Sequence, residues 1–227
     1  MGVKIMNILY EDNHIIVAKK DVNILSQADN TNDNDMLSMV KKYIKEKHDK
    51  PGNVYLGLVH RLDRPVGGCM VFAKTSKAAS RLSEQVRNRS FEKTYLAIIR
   101  GTVEGISGTL KDYLYKDVKT NMSRVVDKNF KGAKQAILDY EVIGYDKNLS
   151  LVKIKLKTGR PHQIRVQFAS RGNALYGDQR YGEDVNQHGQ QIALWSYEMG
   201  IMHPTLKEDM KFRCMPPNEY PWNLFDI

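Results

Sequence analysis

The sequence lacks the signals that direct proteins into membranes or out of the cell. None of its apolar runs approaches the roughly 18 uninterrupted residues that suggest a membrane span. Residues 1–6 (MGVKIM) lack the long apolar region of a signal peptide, and Met6 stands where a myristoylation signal has Ser or Thr. We therefore expect a cytoplasmic protein without a membrane partner.

Cysteine is also scarce, since the 227 residues include only Cys69 and Cys214, which lie far apart. A structural zinc site needs paired ligands at short spacing, and neither cysteine has such a neighbour. Cys69 lies in the apolar run 69–73 (CMVFA), which indicates a buried small hydrophobe. A dinucleotide-binding glycine motif, a P-loop and clusters of metal ligands are missing too. The sequence therefore predicts no disulfide scaffold, no metal and no cofactor.

Positive charge is present in excess. Lys and Arg number 35 against 26 Asp and Glu, which gives a formal net charge of +9 and a pI near 9.4. Such a surplus favours polyanionic partners, and nucleic acid is the commonest polyanion in a cytoplasm. Many soluble proteins are mildly basic, so the charge suits a nucleic-acid partner without deciding for one.

Hydrophobic periodicity and turn residues divide the chain into short elements without an internal repeat. Strands outnumber helices and rarely alternate with them, which favours one α+β domain over residues 1–227 with a mixed, mostly antiparallel sheet flanked by helices. Helices are predicted at 36–47, 76–88 and 162–170, and residues 29–35 are predicted to be a loop. Strands are predicted twice within 5–19, and at 69–74, 92–100, 110–115, 123–126, 133–145, 150–157, 192–202 and 210–214, with the tail 216–227 packed back onto the body.

One acidic residue stands between two arginines in residues 60–64 (HRLDR), shortly before the glycine pair at 67–68. A nearby guanidinium favours the carboxylate form of Asp63 and can hold it by charge-assisted hydrogen bonds. A salt bridge in a surface loop has the same sequence, and these residues alone leave both interpretations open.

A second polar segment, residues 157–165 (KTGRPHQIR), combines a turn with the start of a helix. The first backbone N–H groups of a helix attract anions. Arg160, His162, Gln163 and Arg165 add side-chain donors, so a phosphate or a nucleobase edge would suit this turn. A capped helix with solvated arginines is the alternative interpretation.

Residues 60–63 (HRLD), followed by a glycine and an apolar run that ends at 73–74 (AK), resemble the signature of RluA-type pseudouridine synthases. Four further landmarks of that family follow in the same order. They are a strand like the one that carries the family's active-site tyrosine (93–97, KTYLA), a Gly-Arg-x-His-Gln-x-Arg motif (159–165, GRPHQIR), a Gly-Asp loop (177–182, GDQRYG) and a late His-Pro pair (203–204). The resemblance runs from about residue 8 to residue 217.

Two features depart from the family pattern. Residues 65–68 (PVGG) replace the acidic residue and Thr-Ser-Gly that commonly follow the Arg-Leu-Asp-Arg stretch, which changes the loop beside the carboxylate. Many relatives also carry a small RNA-binding domain in front of the catalytic one, and this sequence starts almost directly at the first catalytic-domain strand. We therefore expect the catalytic domain's own surface to select the target.

The resemblance implies isomerisation of a specific uridine in structured ribosomal or transfer RNA, and nothing in the sequence demands more than a monomer. Asp63 would be the catalytic carboxylate, acting at the ribose as nucleophile or as base. Arg165 would pair with Asp63 and keep it ionised, and Tyr95 would stack against the uracil. Flipping the base out of its stack costs a few kcal/mol, and Arg61 is a candidate to occupy the vacated space. The other implied substrate-binding residues are His60, Arg160, His162 and Gln163.

Two other classes of function are compatible with parts of this sequence. A non-catalytic RNA-binding protein could keep the fold without the reaction, although it would not need Asp63. A metal-dependent nuclease could use Asp63 and His60, but such sites usually need several carboxylates, and no acidic cluster stands near them. Tyr95 could instead be an aromatic residue that packs a sheet.

Overall fold

The computed structural model describes residues 6–31 and 33–227, which form two compact units. The first is built from the described residues up to Lys93 together with Ser196–Met215, and the second from Thr94–Trp195 together with Pro216–Ile227. Residue 5, where the first predicted strand begins, and residue 32 of the predicted loop lie outside the described residues. That both units belong to one domain over residues 1–227 stays a prediction.

The described residues contain eleven strands and three α-helices, which confirms the predicted α+β class. No helix within these residues is long and apolar enough to cross a membrane. The helices are α1 (Met36–Lys47), α2 (Ser76–Asn88) and α3 (Gln163–Ala169). The strands are β1 (Ile8–Glu11), β2 (Ile15–Lys20), β3 (Gly57–Leu58), β4 (Gly67–Ala73), β5 (Glu92–Arg100), β6 (Ser107–Asp117), β7 (Met122–Val126), β8 (Lys134–Asp146), β9 (Leu149–Leu156), β10 (Leu194–Met202) and β11 (Asp209–Arg213).

In the first unit the strands lie in the order β1-β2-β4-β10, with β3 paired to β4 and β11 paired to β10. The four apolar residues at 15–18 and the whole of β4 are buried, as is typical of strands covered on both faces. Strands β2 and β4 are antiparallel in a register that sets Lys20 opposite Gly68. The end of β2 therefore lies beside the start of β4, to which residues 60–64 lead.

Helices α1 and α2 have the bounds that the sequence predicts, because each begins at a capping residue. Asp35 accepts a hydrogen bond from the Ser38 amide, and Thr75 accepts one from the Ala78 amide. Such side chains satisfy N–H groups that have no partner inside the helix.

One stripe of α1 is buried. It consists of Met36, Val40 and Ile44. Lys47 lies off this stripe and forms an ion pair with Glu11 at 2.9 Å. The stripe follows a strict four-residue spacing.

In the second unit the strands lie in the order β5-β9-β8-β6-β7, and each neighbouring pair is antiparallel. Strand β6 extends beyond the predicted 110–115 because it pairs with β8 and then with β7. Helix α3 packs against β6 and β7. The tail packs back as predicted, since Trp222 is buried and the Tyr220 ring contacts Tyr176.

The glycine pair belongs to β4, whereas the sequence predicts that this strand begins at residue 69. Gly68 has a φ of 119°, and a Cβ at this position would lie 2.6 Å from the Ser196 amide nitrogen. Ser196 also donates through Oγ to the Cys69 carbonyl oxygen at 2.9 Å. The Cys69 thiol is free and buried, as predicted. The missing side chain thus lets β10 approach β4 closely.

We expect Gly68→Ala to lower the free energy of unfolding by about 3 kcal/mol or more, because backbone strain of about 1–2 kcal/mol adds to a backbone overlap. Gly52→Ala is the matched control. Gly52 also has a positive φ, of 77°, but a Cβ there would meet no atom within 4 Å, so only the strain of about 1–2 kcal/mol applies. Urea unfolding at neutral pH measures the free energy of unfolding of both variants. Equal losses in the two variants would contradict the predicted overlap at Gly68.

Candidate active site

The loop that carries Asp63 connects β3 to β4 in the first unit, and backbone contacts fix it on both sides of the carboxylate. The Leu62 amide donates to Ser26 Oγ at 3.0 Å, and that hydroxyl donates to the Leu62 carbonyl at 2.7 Å. The Val66 amide donates to the Asp63 carbonyl at 3.0 Å and closes a turn. The Asp63 side chain is half-buried. A rigid loop therefore presents this carboxylate.

Lys20 is the residue that the sequence analysis missed at this loop. Its side chain is fully buried, and its ammonium group donates to the carbonyl oxygens of Asp21, Arg64 and Val66 at 3.1, 2.9 and 2.7 Å. Burial lowers the pKa of Lys20 to about 7, while the charges of Asp63 and Asp21 oppose this shift. Three carbonyl acceptors match the three N–H groups of the charged amine, so the ammonium form fits this site.

The two arginines beside Asp63 are both exposed. Arg64 forms an ion pair with Asp33 at 2.9 Å, and both side chains are nearly half exposed. Pairs of this kind contribute about 0–1 kcal/mol to stability. Arg64 thus forms a surface salt bridge with Asp33, and the interpretation of Asp63 as part of such a bridge stays a prediction. Arg61 has the exposure that a residue reaching into RNA would need.

His60 is buried, and its geometry suits support of the loop. Its Nε2 accepts a hydrogen bond from the Val71 amide at 2.9 Å, and its ring packs against Phe91 with centroids 5.3 Å apart. Desolvation lowers the pKa of His60 to about 3, with a further contribution from the charge of Lys93. The imidazole is therefore neutral at pH 7 and ties residue 60 to β4. Its predicted contact with substrate stays a prediction.

Gln163 organises the turn at 157–165 in the second unit from a buried position. Its Oε1 accepts hydrogen bonds from Thr158 Oγ1 at 2.8 Å and from the Arg160 amide at 3.0 Å. Its Nε2 donates to the Ile137 carbonyl at 3.1 Å. These bonds satisfy the polar atoms of a buried amide, as burial requires, and they shape the turn.

Arg160 and His162 are half-buried on the same turn. The Arg160 Nε donates to the Gln135 carbonyl at 2.8 Å. His162 has a φ of 54°, a left-handed conformation that costs a non-glycine residue about 1–2 kcal/mol. Its Nδ1 lies 2.7 Å from the Tyr181 hydroxyl oxygen. Strain of this kind often occurs at functional sites, where the surrounding structure enforces it.

Arg165 and Asp178 form a buried, bidentate ion pair within the second unit. The guanidinium Nε and Nη2 donate to the two carboxylate oxygens at 2.8 and 2.7 Å. Only 8% of the Arg165 side chain and none of the Asp178 side chain is exposed. The guanidinium also lies over the Tyr181 ring, 5.2 Å from its centroid. The pairing of Arg165 with Asp63, expected from the sequence, stays a prediction.

The backbone conformation of the Gly-Asp loop at 177–182 positions the Asp178 carboxylate. Gly177 has a φ of 73°, and a Cβ there would lie 2.6 Å from the Gln191 carbonyl carbon. The Asp178 Oδ1 accepts two more hydrogen bonds, from the amides of Arg180 and Tyr181 at 3.1 and 3.3 Å. The loop thus supports α3.

Tyr95 is buried on β5, where it lies opposite Ile154 of β9. This position suits an aromatic that packs a sheet and also one that lines a cleft, so its role stays a prediction. Within the described residues, no three His, Cys, Asp or Glu side chains come together in an arrangement that could hold a metal ion.

Tyr181 is a further residue that the sequence analysis did not single out. Its hydroxyl accepts from the Ser123 amide at 2.8 Å and contacts His162, and its ring lies under Arg165. Burial raises its pKa. The structure therefore joins His162 and Arg165 through one tyrosine. The only signal for this in the sequence is that Tyr181 belongs to the Gly-Asp loop at 177–182.

We expect Asp178→Ala to lower the free energy of unfolding by about 3–5 kcal/mol, because it leaves the buried charge of Arg165 without a partner. Asp139→Ala is the matched control, since Asp139 pairs with Lys157 at 3.0 Å where both side chains are exposed; its loss should stay within about 1 kcal/mol. Urea unfolding compares the two variants. Similar losses in the two variants would show that the buried pair stabilises the protein no more than the exposed pair does.

Comparison with known proteins identifies the family. The family model described as RNA pseudouridylate synthase matches residues 14–170. An uncharacterized RNA pseudouridine synthase of Aquifex aeolicus is 33% identical, over 95% of this chain and 71% of that protein. Ribosomal large subunit pseudouridine synthase D of Zymomonas mobilis is 29% identical, over 94% of this chain and 70% of that protein.

A solved structure shows the same fold. Human RNA pseudouridylate synthase domain containing 4 aligns with a TM-score of 0.80 at 20% identity, over 96% of this chain and 91% of that one. The family match covers more than half of the sequence and includes residues 60–64 and 157–165. The chain therefore belongs to the RluA-type RNA pseudouridine synthases, which are isomerases.

Proposed function

We propose that this protein converts a specific uridine in RNA to pseudouridine and that Asp63 is the catalytic carboxylate. The observation that carries this proposal is the environment of Asp63. Its carboxylate is half-buried on a loop whose backbone is fixed by Ser26 on one side and by Lys20 on the other. Catalytic groups act best when the structure holds them in place before the substrate arrives.

The reaction needs one carboxylate and no external reactant. The bond from N1 of uracil to C1′ of the ribose breaks, the base turns, and a bond from C5 to C1′ forms. C5 loses its proton and N1 gains one, so the atoms balance. Asp63 acts at the ribose, either as a nucleophile at C1′ or as a base. A stacked uridine has to leave its helix first, at a cost of a few kcal/mol.

The remaining site residues have proposed roles around this step. Arg165 pairs with the carboxylate, and Tyr95 stacks against the uracil. Arg61 fills the space that the flipped base leaves, which its exposure supports.

The donor-rich turn at 157–165 is proposed to meet the RNA. Arg160 and His162 contact it directly from their half-buried positions. Gln163 and His60 are buried, so they contribute to RNA binding indirectly. Gln163 shapes the turn at 157–165, and His60 supports the loop that carries Asp63.

The substrate is proposed to be structured ribosomal or transfer RNA. A relative from Zymomonas mobilis is named for the large ribosomal subunit, which supports ribosomal RNA as one of these two substrates. The net charge of +9 supplies the attraction to phosphate that RNA binding requires. We further propose that the protein acts in the cytoplasm as a monomer.

We expect Asp63→Asn to abolish pseudouridine formation, because the amide is neither a nucleophile nor a base at the ribose. Total cellular RNA from a strain without the gene, rescued with the normal gene or with this variant, is mapped with a reagent selective for pseudouridine. The matched control is Asp33→Asn, which removes an exposed acid next to the same loop. One site should disappear on deletion and return with the normal gene and the control only.

Restoration of the site by Asp63→Asn would refute the role of this carboxylate. An unchanged map on deletion, together with RNA binding by the purified protein, would favour the non-catalytic RNA-binding alternative.

A further inference from the structure

The ribbon formed by β6 and β7 and the loop after it carry a surface cluster of the half-buried Tyr115 and the exposed Arg124 and Phe130, here called the stacking cluster. Tyr115 and Arg124 are cross-strand partners. The Tyr115 and Phe130 rings meet edge to face with centroids 5.0 Å apart. The Arg124 guanidinium lies 5.7 Å from the Tyr115 centroid and 5.1 Å from the Phe130 centroid. Phe130 is 40% exposed.

The loop after β7 is folded so that it holds Phe130 at this place. The Phe130 amide donates to the Asp127 carbonyl at 3.0 Å, and the Ala133 amide donates to the Phe130 carbonyl at 2.9 Å. Gly132 has a φ of 86°, and a Cβ there would touch the Tyr115 ring at 3.5 Å. Two successive turns and a close approach therefore keep an aromatic face near the surface.

Positive charge surrounds the stacking cluster. Residues 111–134 contain seven Lys and Arg against three Asp, a surplus of four within 24 residues, while the whole chain has a surplus of nine. Asp112 is paired with Arg171 at 3.0 Å, and the side chains of Asp117 and Asp127 accept backbone N–H groups. The lysines around the cluster are Lys116, Lys119, Lys128, Lys131 and Lys134.

The ribbon is also bonded to the turn that is proposed to meet RNA. Ser123, next to Arg124, is buried, and its Oγ donates to the Pro161 carbonyl at 2.8 Å. Its amide donates to the Tyr181 hydroxyl at 2.8 Å. Consecutive side chains of a strand point to opposite faces, so Ser123 bonds to the turn from the buried face while Arg124 is exposed on the other. The strand that carries Arg124 is therefore anchored to the turn.

We propose that the stacking cluster binds an unpaired base of the substrate RNA, with Lys128 and Lys131 on the adjoining phosphates. The proposal rests on the RNA substrate proposed above. Bases stack on exposed aromatic and guanidinium faces without regard to sequence, and each stacked base contributes about 1–3 kcal/mol. The cluster thus provides affinity for a single-stranded segment.

The test measures binding of fluorescent decamers by anisotropy, with U10 as one probe and a base-free decamer of the same length as the other. We expect Phe130→Leu to weaken binding of U10 by about 5- to 100-fold, because it keeps an apolar contact for the loop and removes the aromatic face. Binding of the base-free decamer should not change. Phe130→Trp should bind U10 as the unaltered protein does.

Tyr145→Leu is the matched control, because Tyr145 is an exposed aromatic of the same unit at 54% exposure on another strand. It should bind both probes like the unaltered protein. Unaltered U10 binding by Phe130→Leu, or an equal loss on both probes, overturns the proposal and assigns Phe130 to loop packing. Poly-glutamate that competes as well as U10 also overturns it, in favour of an acidic protein partner.

Phosphate contacts are tested by the salt dependence of U10 binding. The double variant Lys128→Ala, Lys131→Ala should reduce the slope of log K against log salt by roughly 1.4, at about 0.7 per phosphate on a single strand. An unchanged slope overturns the phosphate contacts. None of these assays needs turnover, so their failure is distinct from failure of the synthase assignment, which the pseudouridine map tests.

Discussion

The ammonium group of Lys20 is buried in the first unit, and the loop that carries Asp63 is arranged around it. A buried charge is tolerated only when hydrogen-bond partners replace its lost hydration. Here the partners are backbone carbonyl oxygens, two of which belong to Arg64 and Val66 on the loop itself. Moving the loop would leave those bonds unmade. The requirement to satisfy one buried cation thus fixes the position of the carboxylate proposed to react.

The second unit follows the same principle with a buried pair. Arg165 and Asp178 satisfy each other through two short bonds, and the Asp178 carboxylate also accepts amides from its own loop. Helix α3 and the Gly-Asp loop are therefore locked together, and His162 enters the same network through Tyr181. The hydrogen bonds of Gln163, Arg165 and Asp178 hold the geometry of this region. The residues proposed to meet RNA, Arg61, Arg160 and His162, are exposed or half-buried.

Local patterns in the sequence predicted most of the fold, because caps, apolar runs and turns act over a few residues. Helices α1 and α2 were predicted with their observed bounds from hydrophobic periodicity, and in the structure Asp35 and Thr75 cap their starts. Lys20 could not be predicted as a loop anchor, because its acceptors lie 44 and 46 residues further along the chain. The same holds for Gly68, whose close neighbour is Ser196, and for the partnership of Arg165 with Asp178. Family resemblance pointed to these segments, and only tertiary contacts show how they are held.

The central claim is that Asp63 drives isomerisation of uridine, and loss of the C5 proton reports that step directly. RNA labelled with tritium at uracil C5, taken from cells without the gene, is incubated with purified protein in the presence of a metal chelator. Our account predicts that the unaltered protein releases tritium to water in proportion to the pseudouridine formed, and that Asp63→Asn releases none while still binding the RNA. Tritium release by Asp63→Asn at the unaltered rate would contradict the account.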